Sequence, residues 1–202
     1  MQILQLYQII PQTRALGYKT RFAIWVQGCP FRCPECMTPD SLAMDGGYTT
    51  TVDALVSLIN TIPDIEGLTI TGGEPFLQAA ALSELVKQVT AVRDLGIIVY
   101  SGYTRTQLEK RARTNLGINH FLNHIDLLID APYEASHNEG TPLRGSSNQG
   151  LHLLTPRYQS IINSVYKEEK RAVEIHVLQQ HTMLVGIPEQ QSLQHWQQKL
   201  KG

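Results

Sequence analysis

Cysteine is almost absent from this chain: its 202 residues hold three, all between positions 29 and 36. An odd number crowded into so short a stretch excludes a disulfide framework and points to a metal or redox cluster. Such thiols belong in a reducing compartment, so the expected location is cytoplasmic. An excess of charge is also missing, since 17 Lys and Arg stand against 18 Asp and Glu for a net charge of −1. That balance excludes a counterion-driven nucleic-acid surface and an anionic-membrane partner. The mixed-sign run Lys167 to Arg171 reads as a solvated face. No stretch approaches the ~18 apolar residues of a membrane span. The start, Met1-Gln2-Ile3-Leu4-Gln5, lacks the basic residues and long apolar run of a signal peptide. No Gly-Lys-Ser/Thr follows Gly72-Gly73, so these glycines are not a phosphate loop, and no Ser-His-Asp arrangement stands out.

What is present suits one domain with an ordinary core, because 42% of residues are hydrophobic and 17% charged. Thr20 to Gln27 is rich in β-branched and aromatic residues and reads as a strand ended by Gly28. Val52 to Asn60 has apolar residues at helical spacing. Leu68 to Thr71 is a short strand running into Gly72-Gly73. Ala79 to Leu95 reads as a helix with Leu82, Leu85, Val86, Val89 and Val92 on one face and Gly96 as its stop. Ile97 to Tyr100 is a third strand. Thr104 and Gln107 form a capping box for a helix reaching about Thr114. The apolar run Ile125 to Ile129 is a fourth strand, buried on both faces. Alternating β and α elements predict an α/β fold with a parallel sheet. The pattern changes after about Asn148. Val173 to Leu178 and Thr182 to Ile187 could pair as a hairpin around Gln179-Gln180-His181, and Ser192 to Leu200 reads as a terminal helix.

The central feature is Gly28-Cys29-Pro30-Phe31-Arg32-Cys33-Pro34-Glu35-Cys36, a C-x3-C-x2-C loop directly after the first of these strands. Three thiolates on a short loop can ligate three irons of a cubane, since soft sulfur suits iron–sulfur clusters. Full cysteine ligation takes four thiolates, and with three cysteines in all, one iron is left for another ligand. The alternative is zinc, completed by one of seven histidines. The second feature is Thr71-Gly72-Gly73-Glu74-Pro75, where adjacent glycines let the backbone approach a ligand closely and Pro75 directs the exit. Carbonyls and one carboxylate there suit the ammonium group of a small zwitterion; an ordinary strand–helix turn is the plainer reading.

The order Gly28-Cys29, Gly73-Glu74-Pro75, Gly102-Tyr103, Asp130 and Arg144-Gly145-Ser146-Ser147-Asn148-Gln149 resembles the radical S-adenosylmethionine (SAM) superfamily. Within it the run is similar to the activating enzymes of anaerobic ribonucleotide reductases and, less closely, to pyruvate formate-lyase activating enzymes. The resemblance covers roughly residues 20 to 150. It departs at Glu35, where the superfamily commonly has an aromatic residue and these activating enzymes often have glycine.

The resemblance implies an open, partial βα barrel over residues 1–155, with a C-terminal hairpin and helix extension over 156–202 packed on the same domain. It implies a [4Fe–4S] cluster on Cys29, Cys33 and Cys36, with SAM on the open iron. It implies a SAM site at Gly72, Gly73, Glu74, Pro75, Gly102, Tyr103, Asp130, Ser146, Ser147 and Asn148. By the same resemblance the enzyme cleaves SAM reductively to methionine and a 5′-deoxyadenosyl radical. That radical takes a hydrogen atom from a glycine of a large glycyl radical enzyme, with flavodoxin or ferredoxin as electron donor. Two other readings remain: a radical SAM enzyme acting on a small molecule, like 7-carboxy-7-deazaguanine synthase, and a non-catalytic iron–sulfur carrier or sensor. Trp25 reads as core, with shielding of the cluster as the alternative, Arg32 as cluster tuning or solvated, and His176 and His181 as surface.

Overall fold

The computed structural model describes residues 2–168, 171–177 and 182–188. In chain order the strands and α-helices are β1 (Ile3–Thr13), β2 (Arg21–Val26), β3 (Tyr48–Thr51), α1 (Val52–Thr61), β4 (Gly67–Gly72), α2 (Ala79–Val92) and β5 (Gly96–Tyr100). They continue with α3 (Arg105–Ala112), α4 (Leu116–Leu122), β6 (Leu127–Asp130), β7 (Gly150–Leu153), α5 (Gln159–Glu168), β8 (Val173–Val177) and β9 (Thr182–Gly186). Among the described residues no helix is long and apolar enough to cross a membrane.

The apolar runs at β2, β4, β5 and β6 pair in parallel in that order, as their burial on both faces requires. The sheet has seven strands in the order β3-β1-β2-β4-β5-β6-β7, and its edges do not meet, so it is open. Three of its members lie outside the parallel set expected from the sequence. β1 pairs antiparallel with both β2 and β3, and β7 pairs antiparallel with β6. The reason is local: β1 contains Pro11 and several glutamines, and β7 is four half-buried residues with little alternation. Neither carries a strong strand pattern of its own, so pairing with a preformed neighbour decides both.

Successive β2 residues face opposite sides. Phe22, Ile24 and Val26 join Ile70, Val99 and Leu128 in the main core beneath α1, α2 and α4. Ala23 and Trp25 face the other side, where Ile10, Leu16, Met183 and Val185 pack on them. Tyr158 covers Ile98 and Ile129 on that same face. The face opposite α1, α2 and α4 is therefore covered largely by Tyr158, α5 and the β8–β9 hairpin. The expected hairpin is present as antiparallel β8 and β9, with 178–181 outside the described residues. The expected helix at 192–200 also lies outside them.

The helix α2 is shorter than its apolar stripe suggested. It stops at Val92, which is 71% exposed, and Arg93 turns extended and donates to the carbonyls of Ile59 and Ile62. Gly96 is the first residue of β5 rather than a helix stop. The capping box at Thr104 and Gln107 forms as expected, with both reciprocal hydrogen bonds.

Candidate functional site

The cysteine loop starts where parallel pairing of β2 with β4 runs out. The pairing continues into the loops, with Gly73 N donating to Val26 O and Glu74 N to Gly28 O, each at 2.8 Å. This stitch works only without side chains at the turn. Gly72 has φ +102, and a Cβ on Gly73 would stand 2.2 Å from the Gly28 oxygen. Both glycines of the turn thus let the cysteine loop lie against it. Phe31 extends the contact to β5: its ring rests on Gly102 and meets Tyr103 edge-on at 4.9 Å.

Cys29 is buried, and Cys33 and Cys36 are half-buried. Burial pushes the Cys29 thiol up to about 11, and nearby Glu74, Cys36 and Cys33 add to that against a hydrogen bond from the Phe31 backbone. Burial also raises Cys33, opposed by a hydrogen bond from the Tyr133 backbone. Cys29 and Cys33 as bare thiols thus resist ionisation, and a cationic metal centre is what would make them thiolates. Arg32 donates to the carbonyls of Cys29 and Phe31, folding its charge over the loop. Glu35 sits at φ +56, the left-handed region where glycine is at ease. Replacing Glu35 with glycine is expected to keep full iron content after anaerobic reconstitution and to leave thermal stability unchanged or slightly raised, read by iron analysis and a melting curve.

The three thiols border a cavity of about 360 Å³ at the carboxyl ends of β2, β4 and β5. That is where ligands collect in α/β sheets. Among the described residues no histidine lines it, and no three His, Cys, Asp or Glu side chains converge on one ion-sized point. A cubane is wider than an ion and takes each cysteine on its own iron, so the donor set fits an iron–sulfur cluster with one iron left to another ligand.

Glu74 is fully buried, and its carboxylate is committed to the protein. It accepts from Phe76 N at 2.9 Å, Gly102 N at 2.8 Å and Ser101 Oγ at 3.0 Å. These bonds tie the β4 turn to the β5 end. Burial lifts its pKa to about 7, against the pull of those donors and of Arg111. A carboxyl raised in the folded state holds its proton longer than in the unfolded chain, whose pKa is near 4.5. Stability of the cluster-free protein is therefore expected to fall between about pH 4.5 and pH 7. Urea titrations across that window should show a smaller decline in Glu74→Gln.

The other residues expected at the site are distributed unevenly. Gly72, Gly73, Glu74 and Gly102 line the cavity with the three cysteines. Pro75, Tyr103, Asp130, Ser146, Ser147 and Asn148 are outside the lining. Asp130 accepts from the backbone of Arg105 and Gly150 and faces His152, which fixes the β6–β7 end. Ser146 Oγ accepts from Glu134 N, and Asn148 donates to Pro132 O. Their loop instead presents Gly145 and Gln149 to the cavity, with Gln149 Oε1 accepting from Gly145 N at 2.8 Å.

Of three further contributions, the first was not legible in advance and the other two were each one of two open readings. Tyr7 of β1 lines the cavity and donates to Asp40, and burial together with that carboxylate raises its pKa. Trp25, read as core, does pack with Met183 but also lines the cavity. Thr182, Met183, Leu184, Gly186 and Ile187 close one side of it. These last residues belong to the extension, whose two expected roles are covering the site and docking a partner, and they border the cavity.

An open, mixed α/β sheet with a parallel centre and three thiols at its carboxyl edge suits a single-cluster iron–sulfur protein. The chain belongs to the 4Fe–4S single cluster domain family, whose model matches residues 15–152. It is 26% identical over 157 residues to the anaerobic ribonucleoside-triphosphate reductase-activating protein of Escherichia coli K12, covering 73% of this chain and 97% of that protein. It is 33% identical over 102 residues to a putative glycyl-radical enzyme activating enzyme of Haemophilus influenzae, covering 47% of this chain and 36% of that one. It is 35% identical over 81 residues to the pyruvate formate-lyase-activating enzyme of Staphylococcus epidermidis, covering 37% and 32%. The resemblance to radical SAM activating enzymes stands, and the chain is an enzyme of that class.

Proposed function

We propose that Cys29, Cys33 and Cys36 hold a [4Fe–4S] cluster whose open iron takes SAM, and that the enzyme activates a glycyl radical enzyme by removing a hydrogen atom from a glycine. The observation that carries this is the stitching of the three-cysteine loop to the Gly72-Gly73-Glu74 turn beside one cavity. The three cysteines would hold the cluster, which when bound and reduced would supply the one electron needed to cleave SAM to methionine and a 5′-deoxyadenosyl radical.

The chain's own residues bind, orient and exclude water. The glycine turn offers backbone to the amino-acid end of SAM. Gly102, Gly145 and Gln149 border the space for its nucleoside. Glu74 holds two of these borders together rather than reaching out. Asp130, Ser146 and Asn148 act by fixing the loops behind them. Trp25, Phe31 and Tyr133 line the cavity with rings that keep water from a reactive centre. In this reading residues 1–155 form the radical SAM core, a partial barrel, and 156–202 an extension on the same domain. The partner delivers a flexible glycine loop, and a flavodoxin or ferredoxin supplies electrons.

The test is anaerobic: reconstitute the cluster, add dithionite and SAM, and measure 5′-deoxyadenosine. An EPR doublet on a co-expressed glycyl radical enzyme supports activation. Absence of 5′-deoxyadenosine with every reductant ends the SAM reading. A small-molecule substrate is the second reading. It is favoured by the C-terminal wall on the cavity and by 28% identity over 88 residues to 7-carboxy-7-deazaguanine synthase of Methanothermobacter thermautotrophicus, covering 43% of this chain and 36% of that one. Turnover that needs no protein partner would favour it.

A further inference from the structure

The charged run at 167–171 does not end as a solvated face. Arg171 is half-buried, and its guanidinium reaches acceptors on separate stretches of chain. Nε donates to Thr141 O at 2.9 Å. Nη1 donates to Asn138 Oδ1 at 2.5 Å and Ile187 O at 3.4 Å. Nη2 donates to Arg144 O at 2.8 Å and Gly145 O at 3.1 Å. The planar fork of arginine suits such divergent acceptors, and a lysine ammonium cannot reproduce it.

We propose that Arg171 is a positioning residue that clamps the 138–149 loop to the end of the β8–β9 hairpin, so that the C-terminal extension sets the affinity of the SAM pocket. This rests on the SAM reading above. The loop between 138 and 149 has no strand or helix of its own, and Leu143 within it sits at φ +65. Side-chain bonds to backbone hold it, and Arg171 makes several of them. The clamp touches the cavity on both sides. Gly145 lines it and leads to Gln149, which in turn donates to Ala131 O at 3.0 Å. Ile187 lines it from the hairpin. The family match ends at residue 152, so the clamp comes from chain beyond the matched region. A pre-ordered loop costs less to organise when ligand binds, which raises affinity without a new contact.

The test uses the anaerobically reconstituted full chain with S-adenosylhomocysteine, read by calorimetry and by amide exchange. Arg171→Ala is expected to weaken binding about tenfold and to speed exchange at 141–149 and 182–187 together. Arg171→Lys is expected to recover part of the affinity, and it serves if the alanine variant does not fold. Glu174 pins the hairpin elsewhere, to Thr13 Oγ1 at 2.6 Å and Arg14 N at 2.8 Å. Glu174→Gln is expected to speed exchange in β8 while leaving affinity within about twofold, because the clamp persists. EPR of the reduced cluster without ligand should be unchanged in all three. Wild-type affinity in both Arg171 variants, despite faster loop exchange, overturns the proposal. Failure of the wild type itself to bind overturns the SAM reading instead, and the clamp's role with it.

Discussion

Replacing Cys33 with alanine is expected to abolish cluster retention and radical chemistry together while leaving the fold intact. Cys33 is the clean choice because it is half-buried on the loop, whereas Cys29 is buried and also counts among the packed apolar residues. Each thiolate serves its own iron, so two cannot do the work of three. No substitute stands nearby: the chain has no fourth cysteine, and among the described residues no histidine lines the cavity. Iron and sulfide analysis after anaerobic reconstitution should fall from about four of each per chain to background. 5′-Deoxyadenosine should vanish with them, and far-ultraviolet dichroism should match the wild type. Full iron in this variant would remove Cys33 from the ligand set. Stoichiometric zinc in oxygen-free wild-type preparations would remove the cluster itself.

The second large effect lies at the opposite end of the same strand. Arg21 is wholly buried at the start of β2. Its guanidinium donates to Glu66, to Tyr158 Oη at 2.9 Å, to Thr69 Oγ1 at 2.6 Å and to the carbonyls of Leu68 and Gly96 at 2.6 and 2.8 Å. It thus joins β2, β4 and β5 to the extension through Tyr158. Arg21→Ala removes one cation from Glu66, which keeps Tyr158 Oη at 2.9 Å and Arg157 at 3.7 Å, and it leaves the buried carbonyls of Leu68 and Gly96 without this donor and opens a void. The expected loss is roughly 2–4 kcal/mol of stability, from the void and the unpaired carbonyls more than from Glu66, which stays paired and partly exposed. Urea denaturation measures it. Below the lowered melting point the variant should still load iron, since the cysteine loop is at the far end of β2. A loss under ~1 kcal/mol would mean that water replaces the guanidinium without cost.

The parallel framework was readable because burial on both faces forces near-continuous apolar runs, as in Phe22 to Val26 and Leu127 to Ile129. The Thr104–Gln107 capping box was readable because it is a purely local hydrogen-bond pattern. The end of α2 was not: Val89 and Val92 look alike in sequence, yet the first is buried and the second exposed. Only the departure of the chain toward β5 separates them. At the site, the spacing of the cysteines singled out the three thiols that the structure places on one cavity wall. The Ser146 to Asn148 motif marked a place but not a contact. Its side chains fold back on 132–139, and Gly145 and Gln149 face the cavity instead.

What the sequence determined by itself is the chemistry that can be offered. Three thiols at close spacing offer soft ligands and two adjacent glycines offer bare backbone, both through atoms that sequence alone specifies. Tertiary structure decided what surrounds that chemistry. Trp25 became a cavity wall, Glu74 a brace and Arg171 a clamp only when residues far apart in the chain met. The cause is that burial and hydrogen bonding depend on which partner arrives across the sheet, and no local pattern encodes that partner.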